Sequence, residues 1–158
     1  LIYIHQPALP DISYVGNAEA RTRMEVHGLK TMGDIGYLDE EGFLFIVDRQ
    51  ADMVISGGVN IYPVEIEHVL QGMPGVADCA VFGIPDEEFG EALAAAVQPA
   101  HGATLTAEAV GAWLHERLAG YKVPKVITLH ESLPREDTGK IFKRRLRDPY
   151  WAGRARRV

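Results

Sequence analysis

The pattern of apolar residues changes character near residue 48, and that change constrains the fold more than any other feature. Residues 1–47 hold Pro7, Pro10 and two glycine-marked turns around short strand patterns, with no amphipathic helix long enough to close a core. Ile35-Gly36-Tyr37-Leu38 and Phe43-Leu44-Phe45-Ile46-Val47 flank Asp39-Glu40-Glu41-Gly42, which predicts a hairpin with Gly42 at positive φ. Leu1-Ile2-Tyr3-Ile4 reads as a strand already under way. This region is therefore expected to finish a larger domain upstream, and the chain to be part of a longer polypeptide.

Residues 48–147 read as a compact α+β unit. Met53-Val54-Ile55 is a strand ending in Ser56-Gly57-Gly58, and Pro63 suits a first helical position, with Ile66, Val69, Leu70 and Met73 following at helical spacing. Gly72, Pro74 and Gly75 end that helix. Ala77 to Ile84 and Ala92 to Val97 are strand patterns separated by a turn at Pro85-Asp86. Thr106 is placed to cap a helix that buries Val110, Trp113, Leu114 and Leu118, with Gly120 past its end. Val126 to Leu129 gives a further strand, and Ile141 to Leu146 a final short helix. The expected unit is a small three-stranded sheet with packed helices, preceded by a β-rich remnant (1–47) and followed by a basic tail (148–158).

Composition narrows the function classes. At 47% hydrophobic and 24% charged residues the chain can bury a core, and no apolar run reaches the length of a membrane span. Cys79 is the single cysteine, which fits a reducing cytosol and predicts a cytoplasmic protein. The six histidines show no paired ligand spacing, so no metal site is expected. The net charge of -6 is uneven: the segment from Lys140 onward carries +7, against -13 for the rest. No aromatic residues interleave with Lys143 to Arg147, which argues against nucleic acid and for a solvated helix end that favours an anionic ligand.

Four features carry possible chemistry. Lys140 closes the loop Pro134-Arg135-Glu136-Asp137-Thr138-Gly139, just before the basic run Lys143-Arg144-Arg145. A flexible ammonium there can offset repulsion when one anion attacks another, although by residue type alone a loop lysine is a solvated surface residue. Asp34 follows Thr31-Met32-Gly33, where a carboxylate can accept both hydroxyls of a ribose, or simply occupy a tight turn. Asp48-Arg49 ends the long strand where composition changes: Asp48 suits a pivot, and Arg49 offers a planar fork to ribose or phosphate oxygens. A salt bridge from Arg49 to Asp52 or Asp39 is the plainer alternative. Ser56-Gly57-Gly58 lets backbone approach a ligand closely, but lacks the Lys-Ser/Thr of a phosphate loop.

Taken in order, Asp34-Ile35-Gly36-Tyr37-Leu38-Asp39-Glu40-Glu41-Gly42-Phe43-Leu44, then Asp48-Arg49-Gln50-Ala51-Asp52-Met53-Val54-Ile55-Ser56-Gly57-Gly58-Val59-Asn60-Ile61-Tyr62-Pro63, then Glu65 and Glu67, Tyr121-Lys122-Val123-Pro124-Lys125 and the Lys140 loop resemble the adenylate-forming superfamily. The Ser56 to Pro63 stretch is similar to its AMP-forming acyl-CoA synthetase branch. The resemblance implies the mobile C-terminal lid domain of an ATP-dependent acyl-CoA ligase for fatty or aryl acids. It implies that Asp34 and Arg49 bind the ribose of ATP, that Asp48 is the hinge, and that Lys140 is the catalytic lysine of adenylation. The Ser56-Gly57-Gly58 loop would meet the pantetheine of CoA after the lid turns. Mg2+ and ATP would be held mainly by a large N-terminal domain of the same polypeptide, without which the chain is expected to be inactive. Relatives also suggest acetylation of Lys140, which would neutralise it. The sequence departs from the family pattern at Met32, Val59 and Gln50-Ala51, which bear on hinge contacts and CoA affinity. A non-catalytic lid-like regulatory module, or a luciferase-like or carrier-protein-acylating relative, remains the alternative.

Overall fold

The computed structural model describes residues 1–5, 7 and 24–154; Pro10, Arg156 and Arg157 lie outside the described residues. The chain divides into two compact units, Leu1–Ala51 and Asp52–Val158.

In the first unit, β1 (Glu25–Val26) and β2 (Leu29–Lys30) form a short hairpin, and β3 (Asp34–Leu38) pairs antiparallel with β4 (Leu44–Arg49). The expected β3–β4 turn is present. Asp39 Oδ1 accepts the amides of Glu41 at 3.0 Å and Phe43 at 2.8 Å, and Gly42 has φ of 86°. Leu1 to Ile4 departs from the expected strand: it gives one isolated antiparallel bridge, Ile4 with Lys30, and a hydrogen bond from Ile2 N–H to Asp34 O at 2.8 Å. Tyr37, Leu38, Phe43 and Ile46 are exposed, so this hairpin presents large apolar side chains to solvent.

The second unit is α+β and holds five strands where the sequence pattern predicts three. The order is β6 (Val59–Ile61), β5 (Val54–Ser56), β8 (Gly90–Pro99) and β7 (Val76–Asp86), with β9 (Val126–Leu129) parallel to β8. β5 and β9 share the edge of β8 away from β7: β5 meets it at Gly90, β9 over Ala94–Val97. The expected strand at Met53-Val54-Ile55 joins the sheet as β5, and β6, which has no counterpart in the sequence pattern, arises at Gly57-Gly58. With φ of 56° and 82°, this pair makes a two-residue primed turn rather than an open loop, so Val59-Asn60-Ile61 folds back onto β5. The β7–β8 ladder also runs through Pro85, and the chain reverses at Glu87–Phe89 instead of Pro85-Asp86.

Both faces of this ladder are buried, and the period of two along β8 divides its residues between them. Leu93, Ala95 and Val97 join Cys79 and Val81 beneath the helices α1 (Pro63–Gln71) and α2 (Ala107–His115), where Ile66, Leu70, Val110 and Leu114 are fully enclosed. Ala92, Ala94 and Ala96 join Phe82, Ile84 and Leu133 on the opposite face, with Ile141 and Leu146 packed against them. Pro63 opens α1 as expected, and the Thr106 hydroxyl caps α2 by accepting Ala109 N–H at 3.2 Å. Trp113 ties the two helices together, its indole N–H donating to Val69 O at 3.0 Å.

The last helix, α3 (Lys143–Trp151), runs past the expected stop at Leu146 and through Pro149 into the expected tail. Proline forfeits one backbone donor there. Trp151 offsets the loss by donating its indole N–H to Gly83 O at 2.9 Å, and Tyr150 lies against Phe82 with ring centroids 6.1 Å apart.

Replacing fully buried Leu70 with alanine is expected to cost about 2–5 kcal/mol, read from denaturant unfolding, because truncation leaves a cavity in the core between α1 and β7. Asp86 supports the β7–β8 turn. A hydrogen bond from Lys125, then the amides of Phe89 and Glu88, hold its carboxyl below the ordinary value of 3.8. Its contribution is therefore present above that ordinary value and is lost as pH falls through the folded-state value. Asp86→Asn should lower the urea midpoint at neutral pH, and the gap from the parent should close in acid; a gap independent of pH would contradict this account.

Candidate functional site

The candidate residues fall into one cluster in the first unit and two in the second. In the first unit, Asp34 and Arg49 face one another as register partners across β3 and β4. Arg49 Nε lies 3.4 Å from Asp34 Oδ1, so Arg49 pairs with Asp34 rather than with Asp52 or Asp39. Gly33 prepares the carboxylate: its N–H donates to the buried Thr31 hydroxyl at 3.0 Å, and its carbonyl accepts Gln50 N–H at 2.7 Å. Arg49 is 65% exposed and Asp34 30%, so both present polar atoms to solvent. A carboxylate beside a guanidinium can accept from paired hydroxyls while the fork donates to a nearby oxygen. Asp48 sits inside β4 opposite Ile35, its Oδ1 accepting Arg49 N–H at 2.7 Å. The unit ends three residues later, after a turn that begins at Gln50.

In the second unit, Lys140 closes a tight reversal between β9 and α3. Arg135 and Ile141 form an antiparallel bridge, Glu136 N–H donates to Lys140 O at 2.9 Å, and Gly139 takes φ of 84°. The Lys140 side chain is exposed, and its ammonium has no ion pair or hydrogen bond among the described residues. It remains a mobile point charge on a fixed backbone.

Ser56-Gly57-Gly58 forms the β5–β6 turn. Gly57 N–H donates to Phe89 O at 2.9 Å, and a Cβ on Gly57 would lie 3.0 Å from the Phe89 ring, so glycine is required by both φ and space. Beside this turn runs a groove of about 310 Å³ lined by Ser56, Gly57, Phe89, Leu93, Tyr121 and Lys125, among others. Ion pairs fix its far wall. Lys125 reaches Asp86 Oδ2 at 2.7 Å with Phe89's ring 4.9 Å away, and Lys122 pairs with Glu65. That bond raises the Lys122 pKa above its ordinary value. Phe89 and Leu93 were not legible as groove residues, because only the fold brings them to the turn; Tyr121 and Lys125 stood in a recognised run without an assigned role.

The Gly57-Gly58 turn and the Lys140 loop are held at opposite ends of β8. Ser56 pairs with Gly90, whereas Leu133 N–H, just before the Lys140 loop, donates to the Gln98 side-chain oxygen at 3.1 Å. Gly90 and Gln98 are eight residues apart on one strand, roughly 27 Å at antiparallel rise.

Among the described residues no group of three or more His, Cys, Asp or Glu side chains is gathered to hold a metal ion, so no residue here is assigned to magnesium. No helix of the described residues is long and apolar enough to cross a membrane.

Residues 65–140 match the family model described as the AMP-binding enzyme C-terminal domain. The chain is 46% identical over 134 residues to a feruloyl-CoA synthase of Amycolatopsis sp., covering 85% of the chain and 27% of that protein. It is 45% identical over 139 residues to the long-chain-fatty-acid–CoA ligase FadD13 of Mycobacterium tuberculosis, covering 88% and 27% respectively. Among solved structures, ATP-bound MatB from Rhodopseudomonas palustris superposes with a TM-score of 0.78 at 38% identity, over 85% of this chain and 27% of that one. The chain thus spans about a quarter of the length of these relatives. By motif order, fold and sequence identity, it belongs to the adenylate-forming enzymes, and its residues 65–140 are their AMP-binding enzyme C-terminal domain.

Proposed function

We propose that this chain is the mobile lid, with the last strands of the large domain, of an ATP-dependent acyl-CoA ligase. The observation that carries this reading is the placement of the Lys140 loop and the Gly57-Gly58 turn at opposite ends of the β7–β8 ladder. A body with one functional element at each end can serve two half-reactions in turn, by reorienting rather than by remodelling either element.

In the first half-reaction a carboxylate attacks the α-phosphorus of ATP, releasing pyrophosphate and forming the acyl-adenylate. Both reactants are anions, and the exposed ammonium of Lys140 is suited to bridge the attacking carboxylate oxygen and a phosphate oxygen. Asp34 accepts from the ribose hydroxyls, and Arg49 both holds Asp34 and donates to the nucleotide. In the second half-reaction the thiol of CoA attacks the acyl carbonyl and AMP leaves. Here the Gly57-Gly58 turn lies against the pantetheine arm, whose narrow amide chain fits the apolar groove beside it. Asp48, at the end of β4, is the pivot. Magnesium neutralises phosphate charge when bound, and its ligands belong to the large domain.

The exposed side chains of Tyr37, Leu38, Phe43 and Ile46 support a larger upstream domain that covers them. That domain supplies the remaining ATP site and the acid pocket, so the chain by itself is inactive. Similarity to the feruloyl and long-chain ligases favours aryl or fatty acids.

The test uses the longer polypeptide that carries this chain. Lys140→Ala should lower acid-dependent ATP–pyrophosphate exchange by roughly 10²–10³, while preformed acyl-adenylate is still converted to thioester. Gly58→Val should show the opposite split, since a β-branched side chain at φ of 82° distorts the turn. Exchange by Lys140→Ala at the parent's rate would overturn the assignment.

A further inference from the structure

Lys140 has a free side chain on a tethered backbone, and the tethers form a defined pattern. Ahead of the loop, Arg135 uses both arms of its guanidinium. Nη2 binds Asp78 Oδ2 at 2.5 Å, and Nη1 donates to Gly139 O at 2.8 Å, the carbonyl immediately before Lys140. Behind the loop, Lys143 Nζ lies 2.8 Å from Glu67 Oε1. The same Glu67 oxygen accepts Val81 N–H from β7 at 2.7 Å, and its carboxylate is only 12% exposed. Asp78 and Glu67 thus present two carboxylates on either side of Cys79, whose N–H donates to Asp78 Oδ1 at 2.8 Å and whose thiol donates to Glu67 O at 3.6 Å.

The Asp78–Arg135 pair does not mainly supply stability. Half-exposed ion pairs contribute little, and Arg135 is 44% exposed. Its geometric effect is larger. A planar fork that bonds both β7 and the Gly139 carbonyl fixes the distance and the angle of the Lys140 backbone to the sheet, which a single point contact cannot do. Positioning matters for this step, because displacement of a reacting group by an ångström can cost about 10²-fold in rate.

We infer that Asp78 and Arg135, backed by the Glu67–Lys143 pair, are positioning residues that lock the Lys140 loop to β7 so that Lys140 is delivered by motion of the whole unit. This rests on the adenylation role proposed for Lys140. Loss of the lock lets the loop wander, and the penalty falls on the half-reaction that needs Lys140. The thioester step, served from the other end of β8, is spared.

The experiment measures both half-reactions in the longer polypeptide for Asp78→Ala, Arg135→Ala, Arg135→Lys and Lys140→Ala, with unfolding midpoints alongside. Amide hydrogen exchange at Glu136 and Gly139 is followed in the same proteins. Asp78→Ala and Arg135→Ala should each slow pyrophosphate exchange about tenfold or more, chiefly in kcat, with thioester formation from preformed acyl-adenylate unchanged. Amide exchange across the loop should quicken while the unfolding midpoint stays near that of the parent. Arg135→Lys, which keeps the charge but not the fork, should fall between parent and Arg135→Ala. If Lys140→Ala abolishes pyrophosphate exchange while the Asp78 and Arg135 variants stay within twofold of the parent, the lock is wrong and the adenylation role stands. If Lys140→Ala itself exchanges normally, the underlying role fails first. If both half-reactions decline together with the unfolding midpoint, these residues are struts of the fold, and the inference is overturned.

Discussion

The antiparallel ladder between Val76–Asp86 and Gly90–Pro99 is the interaction on which the second unit depends. The pairs from Cys79–Val97 to Ile84–Ala92 are buried on both faces and leave the centre of the ladder no solvent-facing side, so every other element is placed by what it covers. Two helices close the face of Leu93, Ala95 and Val97. The Leu133–Leu146 segment closes the face of Ala92, Ala94 and Ala96, where small side chains allow close approach. The edge of β8 then takes β5 at one end and β9 at the other, and each leads into one of the two candidate loops. A rigid strand pair thereby sets the spacing of the two candidate loops.

Much of this was legible where a local rule is strong. Pro63, the Ile66-Val69-Leu70-Met73 spacing, the Thr106 cap and the Asp39–Gly42 turn each state their own conformation, and each is found. Two of the misreadings share one cause: a local breaker was overruled by a distant partner. Gly57-Gly58 looks like an open loop until Val59-Asn60-Ile61 is seen to pair with β5. Pro149 looks like a stop until Trp151 finds the Gly83 carbonyl, 68 residues away in sequence. Leu1 to Ile4 has strand residues, but pairs only at Ile4.

The candidate site divides along the same line. Asp34, Arg49 and Lys140 could be singled out by residue type and by family resemblance, because their side-chain types suit the chemistry. Their supports could not. Arg49 had three nearby aspartates to choose from, and only the strand register selects Asp34. Asp78 and Arg135 are 57 residues apart and belong to no motif that joins them. Groups that touch a ligand are constrained by chemistry and leave a pattern. Groups that hold those groups are constrained by geometry, and only the fold displays them.

Cys79 shows how one arrangement can serve two ends. Burial, then the charges of Glu67 and Asp78, push its thiol up to about 12. Peroxide and electrophiles attack thiolates, and this sulfur stays protonated at any pH a cell reaches. The two carboxylates that grip the flanks of the Lys140 loop thereby also silence the one sulfur nucleophile in this stretch of chain. The sulfur beside the Lys140 loop is thereby a poor nucleophile, kept so by its burial and by the same side chains that brace the loop.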